Sequence, residues 1–454
     1  MRLALTLLAA TLIAAPALAE PDYTPRDMVQ VENASWTADA VLYQLNTRQF
    51  TPEGTFKAAQ KQLPRLAEMG VDIIWLMPIH PIGIENRKGS LGSPYAVRDY
   101  RAVNPELGTE AEFRAFVDEA HRLGLKVILD WVANHSAHDN PLTLSHPDWY
   151  TRSPEGALVP PAGTDWSDVA DFDYSQPGLR RYMTDSLVYW VREFGIDGFR
   201  CDVAGYVPTD FWDTARAELD KVKPVFMLAE WEQRDLHEHA FDATYGWGWK
   251  EAMQRLVQSG EGAGPIRGYY AGQQETWPRA AMRMVYTENH DQNSWDGVAS
   301  DIYGPAYEAA IALSFTGSGL PLIYNGQEAD NDRELAFFER DPIIWREGRY
   351  DTLFRKLIAL KTEMPALHNG RFGAAMVEVP TNATTDVFAF IRGGAGERVF
   401  AVFNLSPRAH TVAFDKARHL GRYVDAQSDE AAEFEGGETL DLPAWGYRIF
   451  KETK

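Results

Sequence analysis

Cysteine is almost missing. The 454-residue chain has one, Cys201, so no disulfide can form within it, and stability must come from a packed core or a bound ion. Cations are scarce as well. Lys and Arg number 44 against 65 Asp and Glu, a net charge of −21. Nucleic-acid binding calls for a basic footprint, and this balance argues against it. Long apolar runs are lacking too. The one candidate, Leu3 to Ala15, is shorter than the roughly 20 residues of a membrane span. Arg2 precedes it and Ala17-Leu18-Ala19 follows, a small-x-small pattern, so residues 1–19 are expected to be a cleaved secretory signal. The mature chain is then exported, periplasmic or extracellular, with no membrane span. Internal repeats and low-complexity tracts are also absent.

What is present is a large apolar fraction, 45%, and an alternation of strand and helix signals. Val41 to Leu45 and Val71 to Met77 read as buried parallel strands, the second ended by Pro78. Thr109 and Glu112 have the spacing of a capping box. Behind them Phe113, Phe116, Val117, Ala120 and Leu123 share one helical face, Gly124 ends the helix, and a third strand starts at Lys126 or Val127. Strand–helix–strand units of this kind build parallel barrels of about 250 residues.

Between Asn134 and Tyr174 the alternation stops in a stretch rich in Pro, Asp, Ser and Gly, longer than an ordinary βα loop. It resumes with a helix from Leu179 to Phe194 and strands ending at Asp202 and Glu230. A sixth strand is expected within Ala240–Tyr245, a seventh ending near Asn289, an eighth after Gly319, and a last helix from Leu353 to Glu363. Beyond residue 367 the texture changes to alternating strands such as Val387–Ile391 and Val399–Phe403. The expected division is a signal (1–19), a barrel in two parts (20–134 and 175–366), an insert (135–174) and a C-terminal antiparallel β-sandwich (367–454).

Four strand-like runs end in ionisable residues. They are Asp130-Trp131-Val132-Ala133-Asn134-His135, Gly198-Phe199-Arg200-Cys201-Asp202, Leu228-Ala229-Glu230, and Asn289-His290-Asp291. Such endings are costly unless they face water or a substrate, and four of them suggest a site on the C-terminal rim of a barrel. Their order and spacing resemble the four sequence regions of the α-amylase family of glycoside hydrolases. The resemblance covers roughly residues 36 to 450. It implies a (β/α)8 barrel with a short inserted domain after the third strand and a C-terminal antiparallel β-sandwich.

It also implies roles. Asp202 matches the nucleophile, Glu230 the acid/base and Asp291 the third catalytic carboxylate. His135, His290 and Tyr95 match residues that hold the sugar at the cleavage point. Arg200 would hold Asp202 ionised, Asp130 would support the site from inside the barrel, and Trp231 is a candidate rim contact. Asn134 matches a ligand of a structural calcium, the one ion implied; no organic cofactor is. Where calcium-dependent members follow the nucleophile with x-x-Lys-His, this chain has Val203-Ala204-Gly205-Tyr206, closer to neopullulanase and cyclomaltodextrinase members. Cys201, one residue from the nucleophile, reads as a small buried strand residue facing away from it. The expected activity is retaining hydrolysis of α-1,4-glucosidic bonds in starch, glycogen or maltodextrins. The alternatives are a 4-α-glucanotransferase, an exo-acting α-glucosidase, and a non-catalytic binding or assembly module.

Overall fold

The computed structural model describes residues 31–415 and 417–453. The expected signal segment lies outside them. In chain order the first strands are β1 (Leu42–Leu45), β2 (Ile73–Leu76), β3 (Lys126–Trp131), β4 (His135–Ala137), β5 (Val169–Asp171), β6 (Gly198–Cys201), β7 (Phe226–Ala229), β8 (Ala243–Tyr245), β9 (Met282–Tyr286) and β10 (Leu320–Tyr324). All but β4 and β5 pair in parallel and close into an eight-stranded barrel, with β10 against β1. β4 and β5 form a separate antiparallel hairpin in the stretch where the alternation stops.

Each barrel strand is buried on both faces, which is why the runs are continuously apolar rather than alternating. The period of two still sorts the side chains. Leu42, Ile73, Trp75, Ile128, Phe226, Leu228, Met284 and Leu322 fill the barrel interior. Tyr43, Ile74, Leu129, Phe199, Cys201 and Met227 face the surrounding helices. The helix Glu110–Arg122 carries the expected capping box between Thr109 and Glu112, and Phe113, Phe116, Val117 and Ala120 are buried. The helix after the insert, Pro177–Phe194, starts two residues earlier than the apolar pattern suggests, because a proline fits its first turn. The last helix, Arg349–Glu363, also starts earlier, extended by a polar first turn. The seventh strand stops at Tyr286, so Thr287 to His290 belong to the rim rather than the sheet.

The C-terminal strands are β11 (Met376–Glu378), β12 (Val387–Arg392), β13 (Val399–Asn404), β14 (His410–Ala413), β15 (Gly421–Asp425), β16 (Ala431–Phe434), β17 (Thr439–Leu442) and β18 (Tyr447–Glu452). Six make one sheet in the order β11-β12-β13-β18-β15-β16, and β14 with β17 makes a two-stranded ribbon. Val387, Ala389, Phe400 and Val402 pack with Val412 and Leu442 of the ribbon. Phe388, Phe390, Ala401 and Phe403 belong to the large core shared with the barrel helices. The sandwich is therefore two unequal layers, with the second face of the larger sheet turned to the barrel. Among the described residues no helix is long and apolar enough to cross a membrane.

The glycine that opens β6 is required by packing. A Cβ on Gly198 would lie 1.8 Å from the Phe226 carbonyl oxygen of the neighbouring strand β7, and φ there is +149°. Gly198→Ala is expected to force β6 and β7 apart at a cost of about 3 kcal/mol, the upper end of ordinary overpacking. A fall in denaturant midpoint checks this, and an unchanged midpoint would show that the strands can separate freely.

Candidate active site

Two-residue steps along three strands carry the barrel interior up to its rim. Ile128 leads to Asp130, Gly198 to Arg200 and then Asp202, and Leu228 to Glu230. Period two thus aims all four ionisable groups at one axis. Arg200 is the hub and is fully buried. Its Nη1 donates to Asp130 Oδ1 at 2.7 Å and to Asp202 Oδ1 at 3.0 Å. Its Nη2 lies 2.7 Å from Glu230 Oε1 but off the hydrogen-bond direction, so that contact is one of charge. Its Nε donates to Tyr245 Oη at 3.2 Å, and Trp75 packs against the guanidinium with its ring centroid 5.1 Å away.

One guanidinium cannot neutralise three carboxylates. Burial, then the charge of Glu230, pushes the Asp202 carboxyl well up, while Arg200 pulls it down. The expected hold of Arg200 on an ionised Asp202 is thus present but opposed by larger effects. Burial lifts Asp130 to about 6 against the same pull from Arg200. Glu230 is raised by burial and by Asp291, with Arg200 opposing. The cluster titrates as a unit and keeps a proton above the ordinary carboxylate range.

The turn after Asp202 is strained. Val203 has φ +35°, an outlier for a β-branched residue. The turn aims its N–H at Glu230 Oε2, 2.8 Å away. Strain of this kind clusters at functional sites, and here it couples the backbone of one rim loop to the carboxyl of the next.

His290 is fixed by Gln44. The His290 backbone N–H donates to Gln44 Oε1 at 3.2 Å. That leaves the Gln44 amide nitrogen facing Nδ1, 2.7 Å away. Nδ1 therefore accepts and Nε2 carries the proton, which it donates to Tyr95 Oη at 2.7 Å. Tyr95 Oη in turn donates to Asp130 Oδ2 at 3.0 Å, as does Trp75 Nε1 at 3.1 Å. Burial and Arg200 hold His290 neutral, its pKa lowered to about 3. Burial does the same to His135.

A cavity of about 530 Å³ opens above this network. Asp202, Glu230, Asp291, His135, His290 and Tyr95 all line it. The side chains of Asp202 and Glu230 are only 9% and 11% exposed, while that of Asp291 is 46% exposed. Trp231, named as a rim contact, does not line the cavity. Its indole lies where a Cβ on Gly205 would be, against Tyr206 and Trp247. Arg200 and Asp130 lie beneath the floor. Cys201 is buried among the helices' core residues, and burial raises its thiol pKa well above normal.

Sequence reasoning missed several residues of the site and its support. Gln44 was detectable, as a polar residue within a buried run. Trp166, Trp295, Phe337 and Phe338 sit in loops without periodicity. A larger groove, about 710 Å³, lies between the helices Pro177–Phe194 and Thr209–Asp220, away from these carboxylates.

Two carboxylates share a cavity with Asn134, the residue expected to ligate calcium. Asn134 shares a cavity with Asp171, Asp173 and the cationic Arg180. Asp171 accepts from Thr151, and Asp173 from Ser175 and Gln176. Among the described residues no three Asp, Glu, His or Cys side chains gather as a metal site, whereas calcium takes six to eight oxygens.

The comparisons with known proteins agree with this geometry. A family model described as "Alpha amylase, catalytic domain" matches residues 25–156 and 163–259, and one described as "Alpha amylase, C-terminal all-beta domain" matches 379–445. The chain is 30% identical over 81% of its length to the α-amylase MalA of Haloarcula japonica. It is 29% identical over 80% of its length to an α-1,4-glucan:maltose-1-phosphate maltosyltransferase of Streptomyces coelicolor. It covers 53% and 57% of those two proteins, so it spans about half the length of the curated relatives it matches. The crystal structure of the maltogenic α-amylase AmyB of Thermotoga neapolitana superposes with a TM-score of 0.83 at 30% identity, covering 92% of this chain and 99% of that one. The barrel, the rim carboxylates and these matches together establish that the chain belongs to the α-amylase family, whose members here include both hydrolases and transferases.

Proposed function

We propose that the protein is an exported retaining α-glucan hydrolase that cleaves α-1,4-glucosidic bonds through a glycosyl–Asp202 ester. The observation that carries the reading is one buried guanidinium touching both Asp202 and Glu230 beneath a cavity that Asp291 also lines. Sharing one guanidinium suits the separation of about 5–5.5 Å at which a carboxylate attacks the anomeric carbon directly.

In the first step an Asp202 oxygen bonds to C1 as the C1–O bond to the leaving sugar breaks. Glu230 delivers its proton to the departing oxygen. In the second step Glu230 takes a proton from water, the water oxygen bonds to C1, and the Asp202 ester opens. Asp291 and the His290–Tyr95 pair hold the sugar and favour its distortion. Calcium enters no step. Transfer to a second sugar is the alternative fate of the same ester, and the maltosyltransferase relatives make it the reading to test against. Export rests on residues 1–19 and requires a mature N-terminus at Glu20.

Length-resolved products of amylose and maltotriose, followed in time, test the assignment, with Glu230→Gln as the control. Shorter maltodextrins from amylose are expected, with turnover down about 10²–10⁴-fold in the variant. Products longer than the maltotriose supplied would shift the assignment to a transferase, and full turnover by Glu230→Gln would sink it.

The carboxylate network also sets a pH dependence. Glu230 must be protonated to donate, and Asp291 helps keep it so. Asp291→Asn removes a charge that raises the Glu230 pKa, so Glu230 loses its proton at lower pH. The basic limb of the kcat/KM profile should move to lower pH in this variant, on top of any loss in rate. A limb that stays put or moves up would mean that Asp291 does not act on Glu230 through its charge.

A further inference from the structure

Glu230 stands one residue beyond the end of β7, which stops at Ala229. Strand periodicity aims it, and the loop beyond has to hold it. The first three residues after the strand are tied to different neighbours. The Glu230 carbonyl accepts the Ala204 N–H at 3.2 Å, and the Trp231 carbonyl accepts the Tyr245 N–H at 3.2 Å. Glu232 is tied by its side chain, whose Oε1 accepts from Arg283 Nη2. Arg283 lies on β9, two strands from β7 in the barrel. It alternates with Met282 and Met284, which fill the barrel interior, and so faces the helices. Neither Glu232 nor Arg283 lines the cavity of the catalytic carboxylates.

This clamp is built in the interior rather than on the surface. Arg283 is buried. Its Nη1 donates to Thr244 Oγ1 on β8, and Trp277 covers the guanidinium with its ring centroid 3.7 Å away. Thr244 Oγ1 also lies 2.9 Å from His237 Nε2, near the far end of the same loop. Both ends of the β7–β8 loop therefore close on one buried group, and Glu232 is the ion-pair partner of that group. Burial raises the Glu232 pKa, while Arg283 and the Gly248 backbone amide pull it down. Leaving a buried cation unpaired is costly, so the chain is pinned at Glu232, two residues from Glu230.

We propose that Glu232, clamped by Arg283, is a positioning residue for Glu230: without touching substrate, it fixes how far the Glu230 carboxyl stands from the leaving oxygen. The inference rests on the retaining α-glucan reading and adds to it a residue outside the cavity. The Glu230 carboxyl itself is held from β6 and the turn after it, by Arg200 and the Val203 N–H. The clamp supplies the opposing hold, from β8 and β9. With that side released, the carboxyl is free to shift toward β6. An acid must stand within hydrogen-bond reach of the atom it protonates, so such a shift is felt in proton transfer before it is felt in binding.

Two donors with different leaving groups test this. Fluoride departs from α-maltosyl fluoride with little help from an acid, whereas the phenoxide oxygen of phenyl α-maltoside needs the proton. On each donor kcat/KM reports the step in which Glu230 donates, and the ratio of the two is independent of how much of a preparation is folded. Glu232→Ala should raise the fluoride-to-phenyl ratio about tenfold, within the roughly 10²-fold that a misplacement of about 1 Å can cost. Glu232→Gln keeps an acceptor for Arg283 and should return most of the ratio. If Glu232→Ala does not fold, the double variant Glu232→Ala/Arg283→Met, which leaves no buried charge unpaired, takes its place with the same expected ratio. A wild-type ratio in these variants, with both donors falling alike, overturns the positioning role and leaves the enzyme assignment standing. A Glu230→Gln enzyme that keeps the wild-type ratio, or a wild type that consumes neither donor, removes the acid assignment and this inference with it.

Discussion

The site depends on a guanidinium taken out of water. A buried, unpaired Arg200 would be prohibitively unfavourable, so the fold must bring carboxylates to it, and it brings those of Asp130, Asp202 and Glu230. Their mutual repulsion is tolerable only because the cation is shared. The same arrangement holds all three carboxyls above their usual pKa. One interaction thereby fixes the geometry of Asp202 and Glu230 and keeps a proton within the cluster.

Around that centre the molecule divides its work between sheet and loops. Strand periodicity sets the floor: Asp130, Arg200, Asp202 and Glu230 rise from interior positions of β3, β6 and β7, and Gly198 lets β6 approach β7 closely enough for the pattern to hold. Loops set the walls. Tyr95 arrives from the loop after β2, Trp166 and Asp168 from the insert, and Trp295, Phe337 and Phe338 from the loops after β9 and β10. Chemistry on the rigid sheet and substrate choice on the loops is the usual economy of a barrel enzyme.

The floor was legible in the sequence and, apart from Tyr95, His135 and His290, the walls were not, for one physical reason. An ionisable residue ending an apolar run is a local anomaly, visible without knowing what packs where. That is how Asp202, Glu230 and Asp291 could be named from short patterns. Trp295 is one aromatic among many. Trp231 shows the converse. Its place after Glu230 suggested a rim contact, but Gly205 leaves room for the indole, which packs down against Tyr206 and Trp247. The calcium expectation rested on Asn134, whose neighbours Asp171 and Asp173 turned out to be engaged in local hydrogen bonds.

The central claim is that Arg200 holds two carboxylates close enough for direct attack on C1. Its most direct test is the anomeric form of the first product, read by proton NMR on a time scale shorter than mutarotation. The account predicts that new reducing ends appear as the α-anomer, with β arising only later. The β-anomer first would mean that water attacks across a wider gap between the carboxyls, and would contradict it.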